Sequence, residues 1–155
     1  MAEGISLSVR EFPSHLLKHQ GVVRRLYGRG GEEELRFWWR DRWPCLAVIH
    51  AGQFRLTRWG NRHARRSALP RIGTLWKDDL GDAPWSSLET HRVVIQANAG
   101  YDGGVWYRVR QGIEGVLVYD EKGKPVTYML IETASHYFRT MTRCDGMPVM
   151  IGEVI

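Results

Sequence analysis

The sequence predicts an α+β fold: a compact single domain of mostly antiparallel strands with a few short helices. The chain has 155 residues, a length that one hydrophobic core can serve without a second domain. Hydrophobic residues make up 43% and charged residues 25% of it, which is the balance of a globular protein rather than of a disordered chain. From Pro44 onward, short runs rich in β-branched and aromatic residues alternate with Gly, Pro and Asp, as is typical of strands joined by turns. We therefore expect one domain over residues 1–155.

The first third of the chain carries a different pattern. Over residues 11–27 apolar side chains recur at nearly helical spacing, and Ser14 is a candidate N-cap, so a helix is predicted there. The Gly-Arg-Gly-Gly run at residues 28–31 ends this pattern. A new segment starts at Glu32 without a clear helical or strand pattern. It leads into an aromatic cluster formed by Phe37, Trp38, Trp39 and Trp43.

Two paired strands are predicted next, over residues 46–50 and 54–59. The three residues between them, Ala51-Gly52-Gln53, have the length and composition of a hairpin loop. Residues 60–91 are predicted to be mostly loop, because Pro and Gly recur there among charged residues. A loop of this length often carries function.

The later elements follow from runs that end at turn-forming residues. Strands are predicted over residues 92–97, 105–110, 114–119, 125–132 and 147–154. Residues 120–124 are a predicted hairpin connection, because Gly123 can adopt the left-handed conformation that a type I turn with a bulge requires. A short helix is predicted within residues 133–142, which contain a helix-compatible stretch.

The apolar runs and the cysteines argue against several classes of protein. No apolar run approaches the roughly 20 residues that a membrane-spanning helix needs, and the first residues do not resemble a signal peptide, so we expect a cytoplasmic protein with no membrane partner. Cys45 and Cys144 have no CxxC neighbour and no nearby His that would complete a zinc pattern, so neither a metal nor another cofactor is expected. Both are expected to be free thiols.

The basic residues point to a partner that carries phosphate. The net charge is +5, and the 22 basic residues comprise 18 Arg and 4 Lys. A guanidinium group offers a planar fork of donors that binds phosphate through two hydrogen bonds and stacks on bases, whereas an ammonium group is a point charge. The alternative, that the arginines reflect only GC-rich coding DNA, is left open by the sequence.

One stretch concentrates these arginines. Residues 55–71 interleave basic side chains with Trp59, a pattern that favours single-stranded DNA, because arginines neutralise phosphates and an exposed indole stacks on a base. The alternative is a solvated basic loop with Trp59 in the core. With two arginines from a later strand, the predicted nucleic-acid contacts are Arg55, Arg58, Trp59, Arg62, Arg65, Arg66, Arg108 and Arg110.

Four short motifs occur in an order that resembles one known family. They are a proline-led strand at residues 44–49, Leu-Thr-Arg-Trp-Gly at residues 56–60, Gln-Ala-Asn-Ala at residues 96–99, and Cys-Asp-Gly-Met-Pro-Val-Met-Ile at residues 144–151. Together they resemble the SOS-response-associated peptidase (SRAP) family. The resemblance implies a partly open barrel with a basic groove for single-stranded DNA, in which an N-terminal cysteine forms a covalent link to an abasic site.

The chain departs from this family at its reactive positions. Residues 1–43 match nothing in the family, and position 2 is Ala2, so the N-terminal nucleophile is missing. Asn98 matches the family's Asn, but Gly100, Val118 and Cys144 stand where its Arg, Glu and His would be. The resemblance therefore predicts a divergent domain that contacts single-stranded or abasic DNA without forming the crosslink.

Two other functions remain open. One is an enzyme that acts on abasic DNA or a peptide through the catalytic candidates Asn98, Cys144 and His136, although sequence proximity alone does not bring a thiol and a base together. The other is a protein-interaction module of a phage or mobile element. Tryptophan is enriched at interface hot spots, and the candidate contacts for such a partner are Trp38, Trp39 and Trp43.

Overall fold

Two β-sheets make up most of the molecule. The computed structural model describes residues 2–18, 22, 25–29, 32–63 and 67–152. The strands are β1 Gly4–Ser8, β2 Leu26–Arg29, β3 Glu32–Trp38, β4 Cys45–His50, β5 Gln53–Trp59, β6 Thr74–Trp76, β7 His91–Ile95, β8 Ala99–Asp102, β9 Val105–Arg108, β10 Ile113–Tyr119, β11 Pro125–Thr133 and β12 Gly146–Pro148. The described helix α1 spans His136–Thr142, and 3-10 turns span Val9–Glu11, Lys77–Gly81 and Trp85–Ser87.

Five strands close a barrel. Their order is β10-β7-β4-β5-β11, and β10 also pairs with β11. The resemblance to the SRAP family implied a partly open barrel, and this is wrong in that detail. The nine-residue strand β11 closes the barrel, because one of its edges pairs with β5 while the other pairs with β10. Most strand pairs are antiparallel, as predicted; β11 pairs in parallel with β5 and β6.

Alternate residues of β10 and β11 separate two apolar clusters. Leu117 and Met129 belong to the main core, together with Val48 and Ile95 of the neighbouring barrel strands. The intervening residues face outward into a second cluster, which the segment 69–88 covers with Leu69, Leu75 and Trp85. The segment 60–91 is largely non-repetitive, as predicted, but it contains β6 and two 3-10 turns and helps to build this second cluster.

The second sheet has the order β2-β3-β1-β8-β9. Its inner face packs on the main core through Ile5, Leu7, Leu35 and Phe37, all at most 1% exposed. The sequence did not predict β1 or β8. These short strands are stabilised by partners that are distant in sequence, such as Gly4 opposite Trp38 and Tyr101.

The helix predicted over residues 11–27 is confirmed at Val22, which is helical, but the other described residues of that stretch are not α-helical. Residues 14–18 form turns, and β2 begins at Leu26. Leu26 pairs with Leu35 of β3, so cross-strand pairing overrides the helical spacing of the apolar residues. Residues 19–21, 23 and 24 lie outside the described part of the chain.

Predictions based on local turn chemistry are confirmed. Strands β4 and β5 form an antiparallel hairpin whose loop is Ala51-Gly52, both at positive φ, which is one residue shorter than predicted. Gly123 has φ 73° and donates to the carbonyl of Asp120 at 2.9 Å. The short helix predicted within residues 133–142 is observed as α1, and Ser135 caps it by accepting from Phe138 N at 3.1 Å.

The last described strand is short, and neither cysteine forms a disulfide. Strand β12 covers Gly146–Pro148 and pairs with the end of β11, whereas residues 149–152 of the predicted strand 147–154 are not part of it. Residues 153 and 154 lie outside the described part of the chain. Cys45 and Cys144 are free thiols. Among the described residues, no helix has the length and apolar character needed to cross a bilayer.

Candidate nucleic-acid interface

A groove of about 560 Å³ lies between the β2–β3 edge of the second sheet and the β4–β5 hairpin of the barrel. We call it the basic-aromatic groove. Four guanidinium groups and three aromatic rings line it: Arg25, Arg36, Arg42 and Arg58, with Tyr27, Trp38 and Trp43. Asp41 is the one carboxylate among its described lining residues.

Three of the four arginines are held by carboxylates. Nη2 of Arg25 lies 3.7 Å from Oδ2 of Asp41. Nη2 of Arg36 lies 2.7 Å from Oε1 of Glu34, and Nη2 of Arg58 lies 2.6 Å from Oδ2 of Asp120. A guanidinium group has five N–H donors, so one carboxylate does not exhaust its capacity. These ion pairs orient the arginines and leave donors for a further anion.

Arg58 and Arg42 are the most accessible cations of the groove. The side chain of Arg58 is 41% exposed, and its Nε is buried without a hydrogen-bond partner. Arg42 is exposed and its guanidinium lies 5.9 Å from the Trp43 ring centroid. A buried donor without a partner is unfavourable, so an acceptor that reached Arg58 Nε would relieve that cost.

Two aromatic rings of the groove are open to solvent. Trp43 is 66% exposed and Tyr27 is 42% exposed, which is unusual for side chains of this size. Trp43 packs edge-on against His63, with the ring centroids 5.3 Å apart, and Arg36 lies 4.5 Å from the Tyr27 ring. Both rings are therefore positioned by neighbours while they keep exposed surface for stacking.

The groove continues onto the outer face of the second sheet. Trp38, Tyr101 and Trp106 contact each other there, with ring centroids 5.0 to 5.5 Å apart. Gly4 is required beneath them, because a Cβ at this position would overlap the Trp38 ring. The guanidinium of Arg36 lies 5.1 Å from Trp106, so cations and rings alternate along this surface.

The structure brings together only part of the predicted arginine set. Arg58 lines the groove, and Arg62 shares an adjoining cavity of about 150 Å³ with Arg58 and Trp43. Arg55 lies elsewhere, at one end of the barrel. Arg108 and Arg110 are exposed at and just beyond the end of β9, away from the groove lining. Arg65 and Arg66 lie outside the described residues.

The predicted stacking role of Trp59 is wrong. Its side chain is 1% exposed and packs in the main core, and its Nε1 donates to the carbonyl of Gly73 at 2.9 Å. Trp39 covers it edge-on at a centroid distance of 5.7 Å. Burial of a large indole contributes strongly to folding, and it leaves no face for a base.

The three catalytic candidates do not come together. Asn98 joins the end of β1 to the first 3-10 turn, because its side chain accepts from Ser8 N at 2.6 Å and donates to Glu11 at 3.1 Å. His136 is exposed at the first residue of α1, whereas Cys144 lies beyond its last residue. The helix separates them by about 10 Å along its axis. The described contacts contain no thiol–imidazole pair.

The three tryptophans proposed for a protein partner have different environments. Trp38 lies on the outer face of the second sheet, Trp39 packs against the main core, and Trp43 projects into solvent. They do not form one contiguous patch of their own.

Sequence reasoning missed most of the groove. Arg25, Arg36 and Arg42 lie in residues 1–43, which resemble no part of the SRAP family, and Tyr27 was not among the predicted contacts. The sequence did contain a usable pattern. Arginines alternate with aromatic residues over residues 25–43, and the same pattern led to the prediction for residues 55–71. The aromatic cluster was interpreted only as a contact for a protein partner, without the arginines that lie beside it in the sequence.

Cys45 lines the same groove and is not poised as a nucleophile. Burial raises the pKa of its thiol, and the nearby Arg25 opposes this only in part. The reactive form of cysteine is the thiolate, which a raised pKa disfavours.

No protein-family model, no curated protein and no solved structure matches the chain. The resemblance to the SRAP family therefore stays a prediction.

Proposed function

We propose that the protein binds single-stranded nucleic acid in the basic-aromatic groove. The observation that carries this proposal is the presence of four guanidinium groups and three aromatic rings along one groove of about 560 Å³. Guanidinium groups bind the phosphates of a strand, and aromatic rings stack on its bases without regard to sequence.

The exposed rings favour an unpaired strand over a duplex. Trp43 is exposed beside the cations of the groove, where it can stack only on a base that is not already stacked between neighbours in a double helix. Each such contact contributes about 1–3 kcal/mol in single-stranded complexes. A single strand with splayed bases therefore fits this surface better than a duplex does.

Binding without a covalent crosslink is part of the proposal. Ala2 supplies no thiol, and the thiol of Cys45 has a raised pKa within the groove. The role that follows is to hold a strand, damaged or intact, through reversible contacts.

The test is fluorescence anisotropy with a labelled single strand and a duplex of the same sequence, each measured from 50 to 200 mM salt. We expect tighter binding to the single strand, and a log–log salt slope of about −2 to −3 for three to four phosphate contacts. The variant Arg42→Gln should reduce that slope by about 0.7, since it removes one contact.

The matched control is Arg139→Gln. Arg139 is 51% exposed on α1, so this variant changes the net charge equally at a site outside the groove. Equal loss of binding in the two variants, or an affinity that does not change with salt, would refute the proposal.

A further inference from the structure

Four polar side chains meet at one open end of the barrel: His50, Arg55, His91 and Tyr119. We call them the barrel-mouth cluster. They come from β4, β5, β7 and β10, and the strand registers place Val48 opposite Arg55 and Leu117 opposite His91. Val48 and Leu117 are fully buried, so the cluster lies directly above the apolar interior of the barrel.

The four side chains contact each other. Arg55 Nη1 donates to the Tyr119 hydroxyl at 3.1 Å and lies 3.3 Å from His50 Nδ1. The rings of His50 and His91 have centroids 5.1 Å apart, and His91 packs edge-on against Tyr119 at 5.9 Å. One guanidinium group thus organises two imidazoles and a phenol.

The hydrogen bonds of Arg55 determine which atoms of its partners remain available. A guanidinium group only donates, so His50 Nδ1 accepts and the proton of the neutral imidazole resides on Nε2. The Tyr119 oxygen also accepts, so its own hydrogen is directed to another acceptor. Both partners therefore present donors away from Arg55.

No carboxylate among the described residues forms an ion pair with Arg55. Within the part of the chain that the structure describes, five other arginines form an ion pair with a carboxylate, whereas Arg55 bonds only to His50 and Tyr119. Glu89 is an acid beside the cluster: its Oε1 lies 3.6 Å from His91 Nε2, and its side chain is 88% exposed. Among the described residues, this half-buried cation therefore has two neutral acceptors and no carboxylate.

We infer that the barrel-mouth cluster binds a phosphate monoester. A monoester presents three terminal oxygens, which match donors that approach from several strands, and guanidinium groups recognise phosphate through paired hydrogen bonds. A planar carboxylate has two oxygens and satisfies fewer of these donors. The ligand is either a free mononucleotide or the terminal phosphate of a strand.

This site is separate from the basic-aromatic groove. Arg55 and Arg58 are both on β5, but three residues place them about 10 Å apart and on opposite faces of the strand. The inference therefore does not rest on the proposed function.

The test follows the imidazole resonances of the labelled protein by NMR during titration with inorganic phosphate and with AMP. The pH is kept constant, and chloride keeps the ionic strength equal. We expect saturable shifts of the His50 and His91 resonances, while those of His136 remain in place, because Tyr119 pairs with the first residue of β11 and the exposed His136 follows the other end of that strand. Unmoved His50 and His91 resonances would overturn the inference.

Two variants and a matched control decide whether the cluster is responsible. Arg55→Gln should weaken phosphate binding roughly tenfold or more, and Tyr119→Phe should weaken it severalfold. Arg92→Gln should have no effect, because Arg92 neighbours His91 in sequence, is 62% exposed, and pairs with Glu114 instead. If Arg55→Gln unfolds the protein, Tyr119→Phe retains the cation and still tests the site. Equal weakening by Arg92→Gln would show non-specific attraction and refute the assignment.

An oligonucleotide with and without a 5′-phosphate identifies the source of the phosphate. Tighter binding of the phosphorylated strand, lost in Arg55→Gln, assigns the site to strand ends. Equal binding of the two strands, with the AMP shifts retained, assigns it to a free mononucleotide. If the groove binds no strand at all, the titration with phosphate still tests the cluster by itself.

Discussion

The outer faces of the two sheets use aromatic residues in opposite ways. On β10 and β11 the face is covered by the segment 69–88, and Trp85, 5% exposed, packs against the fully buried Tyr128 with ring centroids 4.7 Å apart. On the second sheet, Trp38, Tyr101 and Trp106 remain partly exposed. The same type of side chain contributes to the core on the covered face and offers a recognition surface on the open one. A covering segment therefore decides its role.

The largest change in the free energy of unfolding should come from a substitution on the covered face of β10 and β11. Trp85→Ala should lower the free energy of unfolding by about 3–5 kcal/mol, because it removes a buried aromatic side chain and leaves a cavity. Trp106→Ala on the open face should cost about 1 kcal/mol, since mainly ring–ring contacts are lost. Urea denaturation of both variants measures the difference. Equal destabilisation would show that the two faces do not differ as described.

The second prediction concerns Asp102, whose side chain lies on the inner face of the second sheet. Asp102 is fully buried, and its carboxylate accepts from Glu3 N at 3.2 Å and from the Tyr107 hydroxyl at 3.1 Å. Burial raises its pKa to about 6 from an ordinary value of 3.8, although both hydrogen bonds oppose this rise. The folded state therefore holds this proton more tightly than the unfolded state does.

The free energy of unfolding should consequently fall as the pH rises from about 4 to about 6, by an amount on the order of 3 kcal/mol, and then level off. Asp102→Asn should abolish that part of the pH dependence, because an amide does not ionise in this range. Thermal unfolding of both proteins across this pH range is the measurement. A variant with the same pH profile as the parent would contradict the assignment.

The smallest effect on stability should accompany a clear effect on binding. Trp43→Ala should change the free energy of unfolding by less than about 0.5 kcal/mol, because the ring is 66% exposed. It should weaken binding of a single strand by about 1–3 kcal/mol, since one stacking contact is lost. Tyr137→Ala is a suitable control, because Tyr137 is 64% exposed on α1, away from the groove. Similar binding by both variants would show that Trp43 does not stack.

Local signals accounted for much of the barrel. The β4–β5 hairpin, the turn at Gly123 and the capped helix α1 were predictable, because each depends on residues close together in the chain. The strands β1, β2 and β8 were not. Each is four or five residues long and is stabilised by partners from distant segments, so no local pattern distinguishes it from a turn.

The sequence predicted the chemical character of the candidate site but not which residues form it. The excess of arginine in the sequence, and the way arginines alternate with aromatic residues, indicated a surface that binds phosphate. The contributing residues were misassigned, because Trp59 alternates into the core on β5 while Arg58, its neighbour, faces outward. Of the barrel-mouth cluster, only Arg55 was a predicted phosphate contact, and its three partners had no signal because the four members are spread from position 50 to position 119.

By itself, the sequence determined the α+β class, the turns, the capped helix and the basic character of the protein, because turn chemistry, capping and charge depend on residue type and near neighbours. Only the tertiary structure decided that the barrel closes and which aromatic face is covered. It also decided which cations share a groove and that Arg55 has no carboxylate partner among the described residues. These properties depend on how strands distant in the chain pair and pack, and the free energy of those contacts is not encoded in any short segment.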